Sequence, residues 1–328
     1  MSLKPSKTVQ IQPIDTTNTI SMQSKPLISV LMPAFNAALH IQAAIESILA
    51  QTYSNFELII LNDGSTDETK TIVLKFKDPR IIFLEHEQNQ GLIASRNRLV
   101  KQAQGKYIAL MDADDIADSH RLATQLDFLE NETIDICASD HLTLYESTGK
   151  IKRPKQRHSD PDIRALMTVA CPISNPTVMV KASILKQNPY EDTVEVAEDY
   201  ALWCTLALQG YRFANIAQNL LTYRVHSTSI SQSSQTRTQQ IITKLQERYI
   251  KGLNMNPVMR PYPRPWLRRI GSAPQFMVDL NRAIPGISVM ANYQIYARFQ
   301  YRGNGIWTPL TRLERLAVAM LASFIGRL

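Results

Sequence analysis

The sequence predicts an α/β fold with a mostly parallel sheet flanked by helices, and three observations carry that expectation. Apolar runs of strand length recur at Pro26–Pro33, Phe56–Leu61, Ile81–Leu84 and Lys106–Leu110. Between them, apolar residues fall at helical period, as in Ile41, Ala44, Ile45, Ile48 and Leu49. Polar or acidic clusters follow the runs, notably Asn62-Asp63-Gly64-Ser65 and Asp112-Ala113-Asp114-Asp115. Uninterrupted apolar strands are buried on both faces, as in a parallel sheet, and their alternation with helices across residues 27–130 gives β-α-β-α-β-α-β.

Each element has a local reason. Pro33 closes the first strand, and Ala34-Phe35-Asn36 leads into the first helix. Ser65 and Glu68 have the spacing of a capping box for a helix through Ile72, Leu74 and Phe76. Asn89 and Gly91 open a helix carrying Arg96, Asn97 and Arg98. The strand ending at Leu110 runs into the Asp cluster, and Asp118 or Ser119 is expected to cap the next helix. Further on the sequence predicts a strand at Ile134–Ser139, a hairpin turn at Thr148-Gly149 and a basic, mobile loop over 150–158. A helix capped by Asp160 follows, then an irregular stretch at Pro172–Pro176 and a strand at Thr177–Val180. A helix begins at Glu198-Asp199-Tyr200 and ends at Gly210; the last strand, Leu220–Val225, leads into His226.

Composition narrows the function. Neither a Gly-x-Gly-x-x-Gly fingerprint nor a Walker loop is present, which argues against dinucleotide enzymes and P-loop ATPases. Cys137, Cys171 and Cys204 fit no metal spacing and no disulfide framework, and read as reduced core residues of a cytosolic protein. No apolar run reaches the roughly 18–20 residues that cross a bilayer. Residues 1–25 read as a flexible polar tail. The net charge of +7 is uneven: residues 241–328 hold 13 Lys+Arg against 3 Asp+Glu. That basic quarter contains the Arg/Pro/aromatic stretch 258–270 and a helical face of Leu313, Leu316, Ala317, Met320, Leu321 and Phe324. It fits a helix lying on an anionic membrane surface or one packed on the catalytic domain, and no motif supports nucleic acid.

Asp112, Asp114 and Asp115 repel one another unless a cation or hydrogen-bond donors offset the charge. Oxygen-only ligands suit Mg²⁺ or Mn²⁺; the alternative is an acidic helix N-terminus favoured by the helix dipole. Taken alone, Asp63 reads as a turn residue or helix cap, and Glu198-Asp199 as a helix start.

In order, the pieces Ile28–Asn36, Asn62–Ser65, Asp112–Asp115, Glu198-Asp199-Tyr200 with Leu202-Trp203, and Tyr223–His226 resemble the inverting family 2 glycosyltransferases. The resemblance covers residues 27–232 and implies the GT-A fold, a mostly parallel Rossmann-like sheet that binds nucleotide-sugars. It implies that Pro33, Ala34, Phe35, Asn36, Asp63, Arg96, Asp112 and Ala113 hold the nucleotide, with Asp63 reading a uracil and Asp112 meeting the ribose or a metal water. Asp114 and His226 are implied as ligands of Mn²⁺ or Mg²⁺, with Asp115 orienting that site or capping the next helix. Asp199 is implied as the base that deprotonates the acceptor, and Glu198 as its positioning partner. Two departures fall in the acceptor half: Asn175-Pro176-Thr177 where His-Pro-Ser is common, and Ala201 where an acid is common.

The expected organisation is a tail over 1–25, a catalytic domain over 26–235 with a nucleotide half (26–130) and an acceptor half (131–235), and a basic helical region over 236–328. The expected partners are a UDP-sugar donor, a glycan or lipid-linked acceptor of cell-surface polysaccharide synthesis and a peripheral contact with the inner face of the plasma membrane, without nucleic acid. The alternatives are a sugar-phosphate nucleotidyltransferase and a non-catalytic sugar- or membrane-binding module.

Overall fold

Apolar strands pair side by side at the centre of the computed structural model, which describes residues 25–154, 158–194, 196–227, 235–255, 276–301 and 320. β1 (Ile28–Ala34) lies between β2 (Phe56–Asp63) and β4 (Tyr107–Leu110), and β2 pairs outward with β3 (Ile81–His86). All three pairings are parallel, so their carboxyl ends reach one edge together. The crossovers carry α1 (Ile41–Leu49), α2 (Thr69–Lys75) and α3 (Leu92–Gln102). Every residue of β2 is buried, as a strand covered on both faces must be.

Beyond β4 the chain passes through β5 (Ile116–Ala117), α4 (Arg121–Asn131), β6 (Ile136–Tyr145), β7 (Lys150–Lys152), α5 (Asp160–Leu166), β8 (Met179–Lys181), α6 (Ala182–Gln187), α7 (Glu198–Leu208) and β9 (Phe213–Val225). The nine strands form one sheet in the order β3-β2-β1-β4-β8-β6-β9-β5, with β7 on the side of β6. β8 is antiparallel to both its neighbours, whereas the long β6–β9 pair is parallel, so parallel pairing dominates. This is the mixed α/β sheet that the sequence predicts.

Side chains alternate across the strands into two cores. Leu31, Ile59 and Leu61 join α3, α7 and Trp203 on one face; Val30, Met32, Leu58 and Ile60 join α1 and Leu122 on the other. Tyr200 and Trp203 are wholly buried. Three further helices follow: α8 (Gln235–Gly252), α9 (276–283) and α10 (Val289–Tyr301). α8 packs against α7, and a third cluster joins Ala165, Leu166 and Ile250 to Met277, Leu280, Ala291 and Ile295. Among the described residues, no helix is long and apolar enough to cross a membrane. The tail over 1–24, the stretch 258–270 and, apart from Met320, the amphipathic face after 312 lie outside the described residues.

Several local expectations are corrected. The capping box of Ser65 and Glu68 does not form: α2 starts at Thr69, and the Ser65 hydroxyl accepts the Asn36 N–H instead. The Asp118 carboxylate accepts from His120, whose own backbone precedes α4. Asp160 is the first residue of α5 and takes the Phe213 N–H, so it ties α5 to β9 rather than capping the helix. The start of the expected mobile loop, Lys150–Lys152, is a strand paired with Thr143–Tyr145. The strands expected at 134–139 and 220–225 are longer, since β6 and β9 support each other over their whole length. Cys137 and Cys204 are buried thiols, but Cys171 is exposed and no core residue.

Candidate active site

The strand order reverses beside β1, where the run β3-β2-β1 gives way to β4 on its other side, and such a switch point leaves a crevice at the carboxyl edge of the sheet. Two exit loops close one wall. Ala37 N–H donates to the Thr69 hydroxyl (2.8 Å), Ala38 N–H to Asp67 (3.0 Å) and Thr66 N–H to the Asn36 side chain (2.9 Å). Burial alone would raise the Asp67 pKa, but the Thr69 hydroxyl and backbone donors outweigh it and hold the carboxyl below its usual range. Asn36 takes a left-handed backbone (φ 48°) to make this turn, and Phe35 beside it stays half exposed.

Asp63 ends β2 and is buried. Its Oδ1 accepts from His86 Nδ1 (2.7 Å) and Gln90 N–H (2.9 Å), and its Oδ2 from Gly91 N–H (2.9 Å). Gly64 follows at φ +67° with the Gln88 backbone so close that an added Cβ would stand 2.5 Å from its carbonyl carbon.

The Asp cluster follows β4 directly. Asp112, Asp114 and Asp115 present ligand oxygens within 4.8 Å of one another. Asp115 is buried; its Oδ1 accepts the Arg224 N–H (2.9 Å), and its Oδ2 has no hydrogen-bond partner. Burial, and then the charges of Asp112 and Asp114, push its carboxyl well up. Burial likewise raises Asp112 to about 6 against the pull of Arg96. His226 Nε2 meets Asp114 Oδ2 at 3.0 Å, and its ring stacks on His40 at 4.6 Å between centroids. An orphaned buried carboxylate oxygen within an all-carboxylate cluster edged by one imidazole fits a hard divalent cation such as Mg²⁺ or Mn²⁺. Arg121 lies wholly buried beneath, donating to Leu110 O (2.7 Å), with its pKa lowered to about 10 by desolvation despite the nearby Asp115.

Opposite stands the start of α7. Ala197 precedes it with a left-handed backbone (φ 62°), a conformation costly for a side chain with a Cβ, and turns Glu198 and Asp199 into the crevice. Glu198 is buried against the Arg96 guanidinium, and Arg96 also reaches Asp112 at 3.6 Å. Arg96 thus links the Asp cluster to α7. Burial and the Glu198 charge raise Asp199 to about 6, Arg96 opposing them.

This arrangement of strand ends, carboxylates and helix start coincides with a family profile: Glycosyl transferase family 2 matches residues 29–200. The chain belongs to glycosyltransferase family 2. The UDP-Glc:α-D-GlcNAc-diphosphoundecaprenol β-1,3-glucosyltransferase WfaP of Escherichia coli is 35% identical over 62% of this chain and 80% of its own. Its counterpart WfgD, also of Escherichia coli, is 32% identical over 62% and 79%. Among solved structures, TarS 1–349 of S. aureus with UDP-GlcNAc matches with a TM-score of 0.57 at 16% identity, over 92% of this chain and 91% of that one. The mannosyltransferase PcManGT of Pyrobaculum calidifontis, solved with GDP-Man and Mn²⁺, matches with a TM-score of 0.52 at 16% identity, over 92% and 74%. Both share the fold.

In this glycosyltransferase Pro33, Ala34, Phe35, Asn36, Asp63, Arg96, Asp112, Ala113, Asp114, Glu198, Asp199 and His226 all lie on the carboxyl edge of the sheet or on the helices facing it. Asp63 stands apart from the Asp cluster, at the end of β2. Sequence reasoning missed Arg121, His40, Tyr190 and the Arg224 backbone. Arg121 read only as a helix position; the other three become neighbours of the site through contacts of more than 70 residues' separation, which no local pattern shows.

Proposed function

We propose that this glycosyltransferase moves a sugar from a UDP-sugar to a glycan or lipid-linked acceptor, with inversion at the anomeric carbon, in cell-surface polysaccharide synthesis. The observation that carries the reading is the placing of the Asp cluster opposite the half-buried Asp199, whose carboxyl is raised to about 6, with Arg96 bridging Asp112 to Glu198. The donor class and the lipid-linked acceptor rest on WfaP and WfgD, whose names state both, and a peripheral contact of the basic C-terminal quarter with an anionic membrane belongs to the same reading.

Phe35 offers an apolar ring, and Asp63, held by His86 and two N–H groups, an oriented carboxylate to the base. Pro33, Ala34, Asn36, Asp112 and Ala113 line the path of ribose and diphosphate. Asp114 and His226 would hold Mn²⁺ or Mg²⁺, with Asp112 and Asp115 beside them, and the bound ion supplies Lewis-acid neutralisation of the leaving diphosphate. Asp199 takes the proton of the acceptor hydroxyl, which attacks opposite the departing UDP in one displacement. Glu198 fixes Arg96 and keeps Asp199 in a negative environment that favours proton uptake.

The test is UDP release from a panel of UDP-sugars with Mn²⁺, Mg²⁺ or EDTA, for the wild type, Asp114→Ala and Asp199→Asn. The expected result is release from one sugar that EDTA and Asp114→Ala abolish. Silence across the panel together with no nucleotide binding by calorimetry overturns the reading.

A further inference from the structure

His226 holds its place at the Asp cluster without a strand beneath it. The pairing of β9 with β6 ends at Val225 and Tyr145, so His226 stands one residue beyond the sheet. Its side chain is nevertheless only 14% exposed, and its Nε2 meets Asp114 Oδ2 at 3.0 Å. One face of the ring is covered by His40, at 4.6 Å between centroids and 26° between planes.

His40 is itself fixed at both ends. Its N–H donates to Ala37 O (3.0 Å) and its carbonyl accepts the Ala44 N–H (3.2 Å), which sets its backbone at the start of α1. Its Nε2 donates to the Glu146 carboxylate (3.0 Å), which when ionised can only accept. Glu146 in turn accepts from Arg224 Nη1 (3.3 Å), and its own N–H donates to Val225 O (3.1 Å). The contacts close a ring, from His226 to His40 to Glu146 and back to the end of β9 that carries His226. The Arg224 N–H also holds Asp115 (2.9 Å), so this end of β9 supports both the imidazole and the buried carboxylate of the cluster. A ligand already held in its binding orientation loses less entropy on coordination, and side chains behind a metal ligand raise its affinity for that reason.

We propose that His40, braced by Glu146, is a positioning residue that holds the His226 imidazole ready for the divalent cation. This rests on the reading of the site given above, from which the cation and the UDP donor are taken.

The experiment measures by calorimetry the Kd of UDP with Mn²⁺ and with EDTA, and the ratio of the two is the gain that the ion gives to nucleotide binding. It compares the wild type with His40→Ala, His226→Ala, the double variant and His40→Phe. The expected result is that His40→Ala cuts the gain about tenfold, while UDP binding in EDTA stays within about twofold. Adding His40→Ala to His226→Ala should cost nothing further, because His40 acts through that ring. His40→Phe keeps a flat face for His226 and should return most of the gain. A packing role alone would lower the melting temperature and leave the ratio unmoved. If His40→Ala melts too early to titrate, Glu146→Ala, which frees the His40 ring, takes its place with the same expected pattern. A gain in His40→Ala equal to that of the wild type, a further loss in the double variant, or a His40→Phe no better than His40→Ala overturns the positioning role and leaves the metal reading standing. A wild type that gains nothing from Mn²⁺, or that binds UDP in neither buffer, overturns the metal-dependent UDP-sugar reading, and the role of His40 falls with it.

Discussion

As the proposed base, Asp199 needs its charge, and desolvation makes that charge hard to hold. With its carboxyl raised to about 6, acceptor-dependent turnover should climb as pH rises through 6 and level off above it. Asp199→Asn should lower turnover on the order of 10²- to 10⁴-fold while leaving UDP affinity intact, checked by steady-state kinetics against calorimetry. The same shift has a consequence for stability. The unfolded carboxyl ionises near its ordinary value of 3.8, whereas the folded one holds its proton to about 6. Stability from this group is therefore present at low pH and is lost as pH climbs between those values, and urea midpoints of Asp199→Asn should lose less across that window. Arg96 is the reverse case, a buried cation shared by Glu198 and Asp112. Arg96→Met leaves Glu198 buried and unpaired and should cost on the order of 3–5 kcal/mol, partly recovered by adding Glu198→Gln in a double-mutant cycle. The carboxylates of the site were legible in the sequence because each follows a strand or opens a helix. Arg121, Tyr190 and His40 were not, because what gives them a place near the site is tertiary contact alone.

At the scale of elements, the site depends on how tightly the exit loops of β1 and β2 are stitched. Gly64 is the tightest point: its φ of +67° and the 2.5 Å approach of the Gln88 carbonyl carbon leave no room for a methyl group. Gly64→Ala should therefore displace the Gln88–Gly91 segment, whose N–H groups orient Asp63, and weaken UDP binding more than it lowers the melting temperature. Parallel strands were readable as apolar runs because both faces are covered, and β1, β2 and β4 fall within two residues of their expected bounds. Helix starts were less readable. Ser65 and Asp160 favour N-caps, yet each spends its side chain on a loop or strand distant in the chain, whereas Asp118 accepts locally from the His120 N–H just before α4. A capping pattern states what a side chain can do locally; a backbone donor brought in by the fold competes for the same oxygen. The extra length of β6 and β9 was hidden for a related reason, since Asp140, Gln218 and Asn219 interrupt any apolar run and only the mutual pairing continues the strands.

The whole molecule is bound together through α5. Asp162 on that helix accepts both the Ser288 N–H (2.7 Å) and its hydroxyl (2.6 Å), which fixes the start of α10. Around this anchor Ala165, Leu166 and Ile250 pack with Leu280, Ala291 and Ile295 into a third core, contiguous through α8 with α7 and hence with Asp199. Tyr249 of α8, wholly buried, donates from its hydroxyl to Arg164 O (3.0 Å) and packs in the same core as Trp203. α8, α9 and α10 are therefore a structural layer packed on α5 and α7. Leu280 is fully buried there, so Leu280→Ala should cost about 2–5 kcal/mol by lost burial and a residual cavity. If this layer and the helices it covers unfold as one unit, that loss should reach the amides of α5 and α7, whose hydrogen exchange should quicken together with those of α10. Faster exchange in α10 alone would mean a separately melting layer, and would uncouple that layer from the helix that carries Asp199.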